Sequence, residues 1–277
     1  MTTLWQLHIH CPLAEADALS DTLAEQALGV TIDVDGDTAI VTGIFAAPLD
    51  DAATTGLAGR YKHHWQPLVQ RDWLVAGARA AGAGRVGAFN LVDAPATATR
   101  LVSNRSLYLE SFHAFGDGYH ATTQGCLQAL EYIGHRACVQ RMADIGTGTG
   151  VLALAARKLW PRARIVASDI DPTAVAVTRR NRMHNAGRRI QVAVGAGLTP
   201  RLIGRHAPYD VIAANILARP LCRIAAAVRK QLKHGGYVVL SGLLDAQTPL
   251  IVKAYAAQRL HVCWRRTDNG WTTLVLR

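Results

Sequence analysis

The stretch Asp144-Ile145-Gly146-Thr147-Gly148-Thr149-Gly150 constrains this chain more than any other. Residues 141–145 read as a short buried strand and residues 151–160 as a helix, so three glycines fall at a strand-to-helix turn. Such a turn needs positive φ and close approach of backbone to ligand, which glycine allows without a Cβ clash. The helix N-terminus behind it is expected to offer unpaired N–H groups to a polar or anionic ligand. A nucleotide-like ligand is the first expectation, against the plainer reading of a tight turn in an α/β sheet.

Spacing narrows the ligand. A dinucleotide turn needs G-x-G-x-x-G, but Val151 stands where its third glycine would fall, and no G-x-x-x-x-G-K-[ST] phosphate loop occurs. Asp-x-Gly-x-Gly-x-Gly instead resembles the first motif of class I S-adenosylmethionine-dependent methyltransferases, whose ligand carries an amino acid and a ribose but no phosphate. The strand expected over 165–168 ends in Asp169, where an acid suits a bidentate hold on two ribose hydroxyls. Residues 209–213 read as another buried strand. It puts Asn215 on the same carboxyl edge as Gly146 and Asp169, the edge at which open α/β sheets bind ligands.

The first part of the chain has a different rhythm. Residues 4–10 alternate as a strand, 13–28 have helical spacing closed by Gly29, and 30–34 with 39–44 read as a hairpin around Asp35-Gly36-Asp37. A second helix over 49–61 and a last strand over 64–70 complete a βαββαβ order, the split pattern of a small α+β ferredoxin-like domain. Residues 71–100, rich in Ala and Gly, read as a linker with one or two short strands near 89–92, leaving 101–277 as the second domain. There a glycine-punctuated loop over 114–123 feeds a helix over 122–135, with threonine as its cap. Asp171-Pro172 opens a helix that Gly187 closes; its exposed side carries Arg179, Arg180 and Arg182, with Arg188 and Arg189 beyond. Leu221, Ile224, Ala225, Val228 and Leu232 form a helical stripe ended by Gly235-Gly236. Strand 237–241 and a hairpin of 261–267 with 271–276 around Asp268-Asn269-Gly270 finish the chain.

Charge divides the chain in the same way. Of the net +10, residues 1–70 hold two basic side chains against nine acidic ones, or −7, so residues 71–277 hold +17. An acidic part can steer a basic partner and an arginine-rich part can meet an anionic surface such as RNA; the competing reading of both is solvated surface. No apolar stretch reaches the roughly 18 residues of a membrane span, and no basic-then-apolar leader opens the sequence. Five scattered cysteines without a C-x-x-C pair support neither a disulfide framework nor a zinc site, which fits a reducing cytoplasm. His8 and His10 alternate along a strand and His63-His64 fall in a loop-like stretch, so the histidines read as structural or surface residues and no metal is expected.

With these residues in place, the chain resembles the bacterial methyltransferases that modify protein number eleven of the large ribosomal subunit. The marks are Ala114-Phe115-Gly116-x-Gly-x-His120-x-Thr122-Thr123, the glycine turn, Asp169-Ile170-Asp171-Pro172 and Ala214-Asn215-Ile216-Leu217, in that order. The resemblance implies a class I, Rossmann-like doubly wound sheet ending in an antiparallel hairpin. It implies S-adenosylmethionine as cofactor, contacted by Thr123, Gly146, Asp169 and Asn215, with Gly148 where the methionine end must lie. It also implies that the N-terminal domain presents a basic ribosomal protein. Ile216-Leu217 follow Asn215 in place of the Pro-Pro-aromatic sequence of enzymes that methylate amides, so lysine or N-terminal α-amines are the expected acceptors. At pH 7 a lysine near pKa 10.4 loses its proton at a cost of about 4.6 kcal/mol and an α-amine at about 1.1 kcal/mol. No residue stands out as a dedicated base, His120 and Tyr119 being candidates by position alone. The chain departs from the family at Tyr119 and at Asp117, whose carboxylate is expected to favour the sulfonium cofactor over its neutral product. Two rivals stay open: a non-catalytic module that binds ribosomal protein or RNA, and a methyltransferase of another protein or of RNA.

Overall fold

The computed structural model describes residues 4–27, 29–68, 84–93, 105–110, 120–185 and 189–277. The chain forms two compact units, Met1–Ala80 and Ala81–Arg277. In the first, β1 (Leu4–Pro12), α1 (Ala16–Ala24), β2 (Gly29–Asp35), β3 (Thr38–Phe45), α2 (Asp51–Ala58) and β4 (Lys62–Leu68) follow in order. Their sheet runs β2-β3-β1-β4, antiparallel throughout, which is the ferredoxin-like arrangement. Leu7, Ile9 and Cys11 alternate into the core beside Leu19 and Leu23 of α1. Asp50 caps α2 by accepting from the Ala53 N–H at 2.7 Å. Gly29 opens β2 and does not close α1, which ends at Ala24. His63 and His64 lie in β4 and not in a loop, because pairing with β1 sets His64 opposite His8, their rings stacked at 4.9 Å.

The second unit begins with β5 (Gly84–Val86), β6 (Phe89–Asp93) and β7 (Ser106–Leu109), a three-stranded sheet. Residues 84–93, expected within a linker, are thus part of this unit's framework. Val86, Phe89, Leu91 and Leu107 share a core with Leu127, Leu130 and Ile133 of α3 (Ala121–Gly134), an apolar face that the local Gly-Ala composition hides.

The main sheet holds β8 (Arg141–Ile145), β9 (Arg164–Asp169), β10 (Ile190–Val194), β11 (Tyr209–Asn215), β12 (Leu232–Leu244), β13 (Val262–Asp268) and β14 (Trp271–Leu276). Its order is β10-β9-β8-β11-β12-β14-β13, with the first five strands parallel and β14 antiparallel between its neighbours. This is the doubly wound sheet with a terminal hairpin that the sequence predicts. Met142, Ile165, Val211 and Val239 face α3 and α4 (Val151–Leu159). Ala143, Val166, Ile212 and Leu240 face α6 (Arg201–His206), α7 (Ala218–Gln231) and α8 (Thr248–Ala256). Burial on both faces explains the unbroken apolar runs of the central strands. Each fully buried Leu, Ile or Val contributes roughly 1.5–3 kcal/mol.

Two expectations change here. Gly235-Gly236 does not end α7, which stops at Gln231; the glycines lie inside β12, where Gly235 takes φ 71. In α5 (Pro172–His184) the Asp171 cap holds, its carboxylate accepting from the Thr173 N–H at 2.7 Å, while Gly187 lies outside the described residues.

Candidate functional site

From β8 the chain winds outward to β9 and β10, then returns to lay β11 on the other side of β8. Strand order therefore reverses between β8 and β11, and the crevice at their carboxyl ends is where such sheets bind ligands. Ile145 pairs with Ser168 on β9 and with Ala214 on β11. Neighbouring strands lie about 4.8 Å apart. That register brings the glycine turn after β8, Asp169 at the end of β9 and Asn215 at the end of β11 onto one edge.

The turn takes the predicted backbone, with φ 68 at Gly146, 55 at Gly148 and 85 at Gly150. A Cβ on Gly146 would run into the Ile216 side chain, and one on Gly150 would stand 2.8 Å from Thr178 Cγ2. The N–H groups differ from expectation. Gly146 and Thr147 donate to the Ser168 carbonyl at 2.9 and 3.0 Å, Gly148 donates to Asp169 Oδ2 at 2.9 Å, and Gly150 donates to the Thr147 carbonyl at 2.8 Å. A turn whose four donors are already satisfied, three of them by the end of β9, is no cradle for phosphate. Asp169 is fixed in turn, its Oδ1 accepting from the Asp171 N–H at 3.0 Å, and each oxygen keeps acceptor capacity. Ile170 beside it is 73% exposed, an apolar side chain left at the rim.

Helix α5 braces the turn from behind. Thr178 Oγ1 donates to the Gly148 carbonyl at 2.7 Å and Asn181 Nδ2 to the Thr149 carbonyl at 2.9 Å. Asn181 Oδ1 also accepts the Glu110 N–H at 2.7 Å, while Asn185 exchanges two bonds with the Tyr108 backbone at 2.9 and 2.6 Å. Two amide side chains thus hold the exit of β7. The signal in the sequence was a pair of asparagines one helical turn apart: Asn181, a poor helix former inside the helix, and Asn185 at its C-cap.

Asp144 lies beneath the turn, 1% exposed. Its Oδ2 accepts from Thr147 Oγ1 at 2.6 Å and the Ala153 N–H at 3.2 Å, while Oδ1 has no partner among the described residues. Burial pushes its pKa up to about 6; the bonds from Thr147 and Ala153 oppose the rise and the Asp169 charge adds to it. Across the crevice, His120 and not a threonine caps α3, its Nδ1 meeting the Thr122 N–H at 3.3 Å and Thr122 Oγ1 at 2.7 Å. Asn215 Nδ2 donates to the same hydroxyl at 3.4 Å, and because His120 Nδ1 accepts the Thr122 N–H it is unprotonated, so the hydroxyl gives its proton to that nitrogen. Among the described residues, Asn215 Oδ1 and the fully buried Thr123 Oγ1 are left without partners. Stranding a buried polar atom costs about 1–3 kcal/mol. Three such oxygens, from α3, β8 and β11, fit incoming hydrogen-bond donors, such as those of an amino acid with a ribose or of an amine acceptor beside it. Asp117 and Tyr119 fall outside the described residues.

Comparison with known proteins agrees with this geometry. The family described as ribosomal protein L11 methyltransferase (PrmA) matches residues 44–277. The ribosomal protein L11 methyltransferase of Mesorhizobium japonicum is 36% identical over 207 residues, covering 74% of this chain and 71% of its own length. That of Bradyrhizobium diazoefficiens is 37% identical over 209 residues, covering 75% and 70%. Among solved structures, the ribosomal protein L11 methylase of Lactobacillus delbrueckii subsp. bulgaricus superposes with a TM-score of 0.60 at 26% identity, over 69% of this chain and 95% of that one. The switch-point crevice and its glycine turn are those of a class I methyltransferase, and the chain belongs to the ribosomal protein L11 methyltransferase family.

Proposed function

We propose that this protein transfers methyl groups from S-adenosylmethionine to amino groups, lysine or N-terminal, of ribosomal protein L11. The observation that carries the reading is the crevice between β8 and β11, where the glycine turn, Asp169 and three unpartnered oxygens gather in a chain of this family. S-adenosylmethionine supplies, when bound, a methyl group activated on a sulfonium. Gly146 and Gly148 leave room for its methionine end and Asp169 receives the ribose hydroxyls. Thr123 and Asp144 offer oxygens to the remaining polar groups, and exposed Ile170 suits the flat face of a base.

Asn215 orients the acceptor. With its Nδ2 tied to Thr122, its Oδ1 accepts an N–H of the incoming amine and so directs the nitrogen lone pair. Holding the two reactants in line is the main contribution asked of the protein. His120 Nδ1 already takes the Thr122 hydroxyl, so no base acts through that nitrogen. The acceptor's proton leaves to solvent, which favours an α-amine over a lysine by about 3.5 kcal/mol at pH 7.

Residues 1–70, at −7, would recognise the basic substrate, and the second unit, residues 81–277, would carry the chemistry. The +17 on residues 71–277 supports contact with ribosomal RNA, and the whole fits a cytoplasmic protein that needs no metal. The test is S-adenosylhomocysteine release with purified ribosomal protein L11 as substrate. Release that requires Asn215 and Asp169 is expected; none with the wild-type chain would overturn the proposal.

A further inference from the structure

We propose a second site at the opposite end of the main sheet: an arginine-lined pocket that holds phosphate groups of RNA. At the amino ends of the strands, Arg141 on β8 pairs in register with Arg164 on β9. Ile165 pairs with Ile190 on β10, so Arg189 falls next in the same row. Two adjacent parallel strands, β8 and β9, therefore begin with an arginine, about 4.8 Å apart by strand spacing, and Arg189, which donates to the Arg162 carbonyl, immediately precedes β10. Like charges set directly opposite one another destabilise a sheet.

The row opens onto a cavity of about 380 Å³ lined by Arg141, Arg164, Gln191, Leu202, Arg205 and His206. Among the described residues, no carboxylate lines it. Arg141 makes one long bond, at 3.4 Å, from its guanidinium to the Ala207 carbonyl. Asp210 on the adjoining strand is already committed, to the N–H groups of Gln140 and Arg141 at 2.8 and 2.9 Å and to Lys233 at 2.9 Å. The arginines expected at the surface of α5 are partly spent on the protein itself: Arg180 pairs with Glu110, and Arg179 and Arg182 donate to the carbonyls of Val192 and Ile190. Among the described residues the guanidiniums of Arg164 and Arg205 have no hydrogen-bond or ion-pair partner, so their planar donor forks face phosphate oxygens unspent. An anion there relieves the repulsion that the row builds in.

A row of cations across several strands, continuing into a helix end, suits successive phosphates of a chain better than one small anion. The pocket lies at the amino ends of β8 and β9 and the methyl-transfer crevice at their carboxyl ends, so RNA held here leaves the crevice open. The inference builds on the RNA contact proposed above and is independent of methyl transfer.

The test is fluorescence anisotropy with a labelled single-stranded RNA of mixed sequence, titrated with the full chain over a range of salt. Arg164→Gln combined with Arg205→Gln is expected to weaken binding roughly tenfold at low salt and to lower the slope of log K against log salt by about 1–2. Arg223→Gln, at an exposed position of α7 outside the pocket lining, should leave both unchanged. The double variant should melt no lower than the wild type, because it removes like-charge repulsion, and should bind S-adenosylmethionine as before. Unaltered RNA affinity in the double variant would overturn the pocket while sparing the wider RNA contact. Absence of RNA binding by the wild type would overturn both. If pyrophosphate displaces nothing from RNA-bound protein yet binds tightly alone and loses affinity in the double variant, the site serves a small phosphorylated ligand, and the RNA assignment fails.

Discussion

Asp144 sets stability against function in one side chain. Its folded pKa, pushed up to about 6, exceeds the ordinary aspartate value of about 3.9, so the native state holds this proton more tightly than the unfolded chain. Its charge therefore destabilises the fold progressively as pH rises through about 4 to 6, and costs nothing below that window. Asp144→Asn keeps an acceptor for Thr147 and Ala153 and should stabilise the ligand-free protein at pH 7 by roughly 1–3 kcal/mol, with no gain at pH 4. Thermal melts at the two pH values check it, and a gain that is equal at both would mean the carboxylate is not shielded from water. At the same scale, Asp169→Ala should weaken S-adenosylmethionine by about 1–3 kcal/mol in titration calorimetry. Unchanged affinity would remove Asp169 from the site. Position at a strand's carboxyl end made Asp169, Asn215 and the glycines legible in the sequence. The closed hydrogen bonding of the turn was not legible, because its acceptors, Ser168 and Asp169, come from another strand.

Elements were legible where packing leaves a periodic trace. The hairpin of β13 and β14 is one case: Asn269 and Gly270 take φ 49 and 77, as a two-residue turn of mirror type requires. Helices α6 and α8 and strand β10 left weaker traces; α6 has six residues, and β10 is an edge strand with Gln191 and Val194 exposed. The link from α5 to β7 is a matter of side-chain amides replacing a missing neighbour strand, which periodicity does not report. Asn181→Ala would leave the Glu110 N–H and the Thr149 carbonyl without these partners, and should cost about 1–3 kcal/mol. Hydrogen exchange at the Glu110 amide should quicken while exchange in β12 stays protected. Equal protection of Glu110 in both proteins would mean that the asparagine does not hold β7.

Over the whole molecule, charge falls unevenly, −7 over residues 1–70 against +17 over residues 71–277, and the acidic part is proposed to capture the substrate. Without residues 1–80 the protein should still bind S-adenosylmethionine but capture ribosomal protein L11 poorly, and salt should weaken capture before it weakens cofactor binding. Undiminished methylation by the shortened chain would give the acidic unit another task. The most direct test of the account is to incubate purified ribosomal protein L11 with the protein and S-adenosylmethionine carrying a labelled methyl group, then locate the label by peptide mass spectrometry. The account predicts whole methyl increments on amino groups of ribosomal protein L11, abolished or strongly reduced by Asn215→Ala. Label that is absent, or that appears on carboxylates or amides, would contradict it.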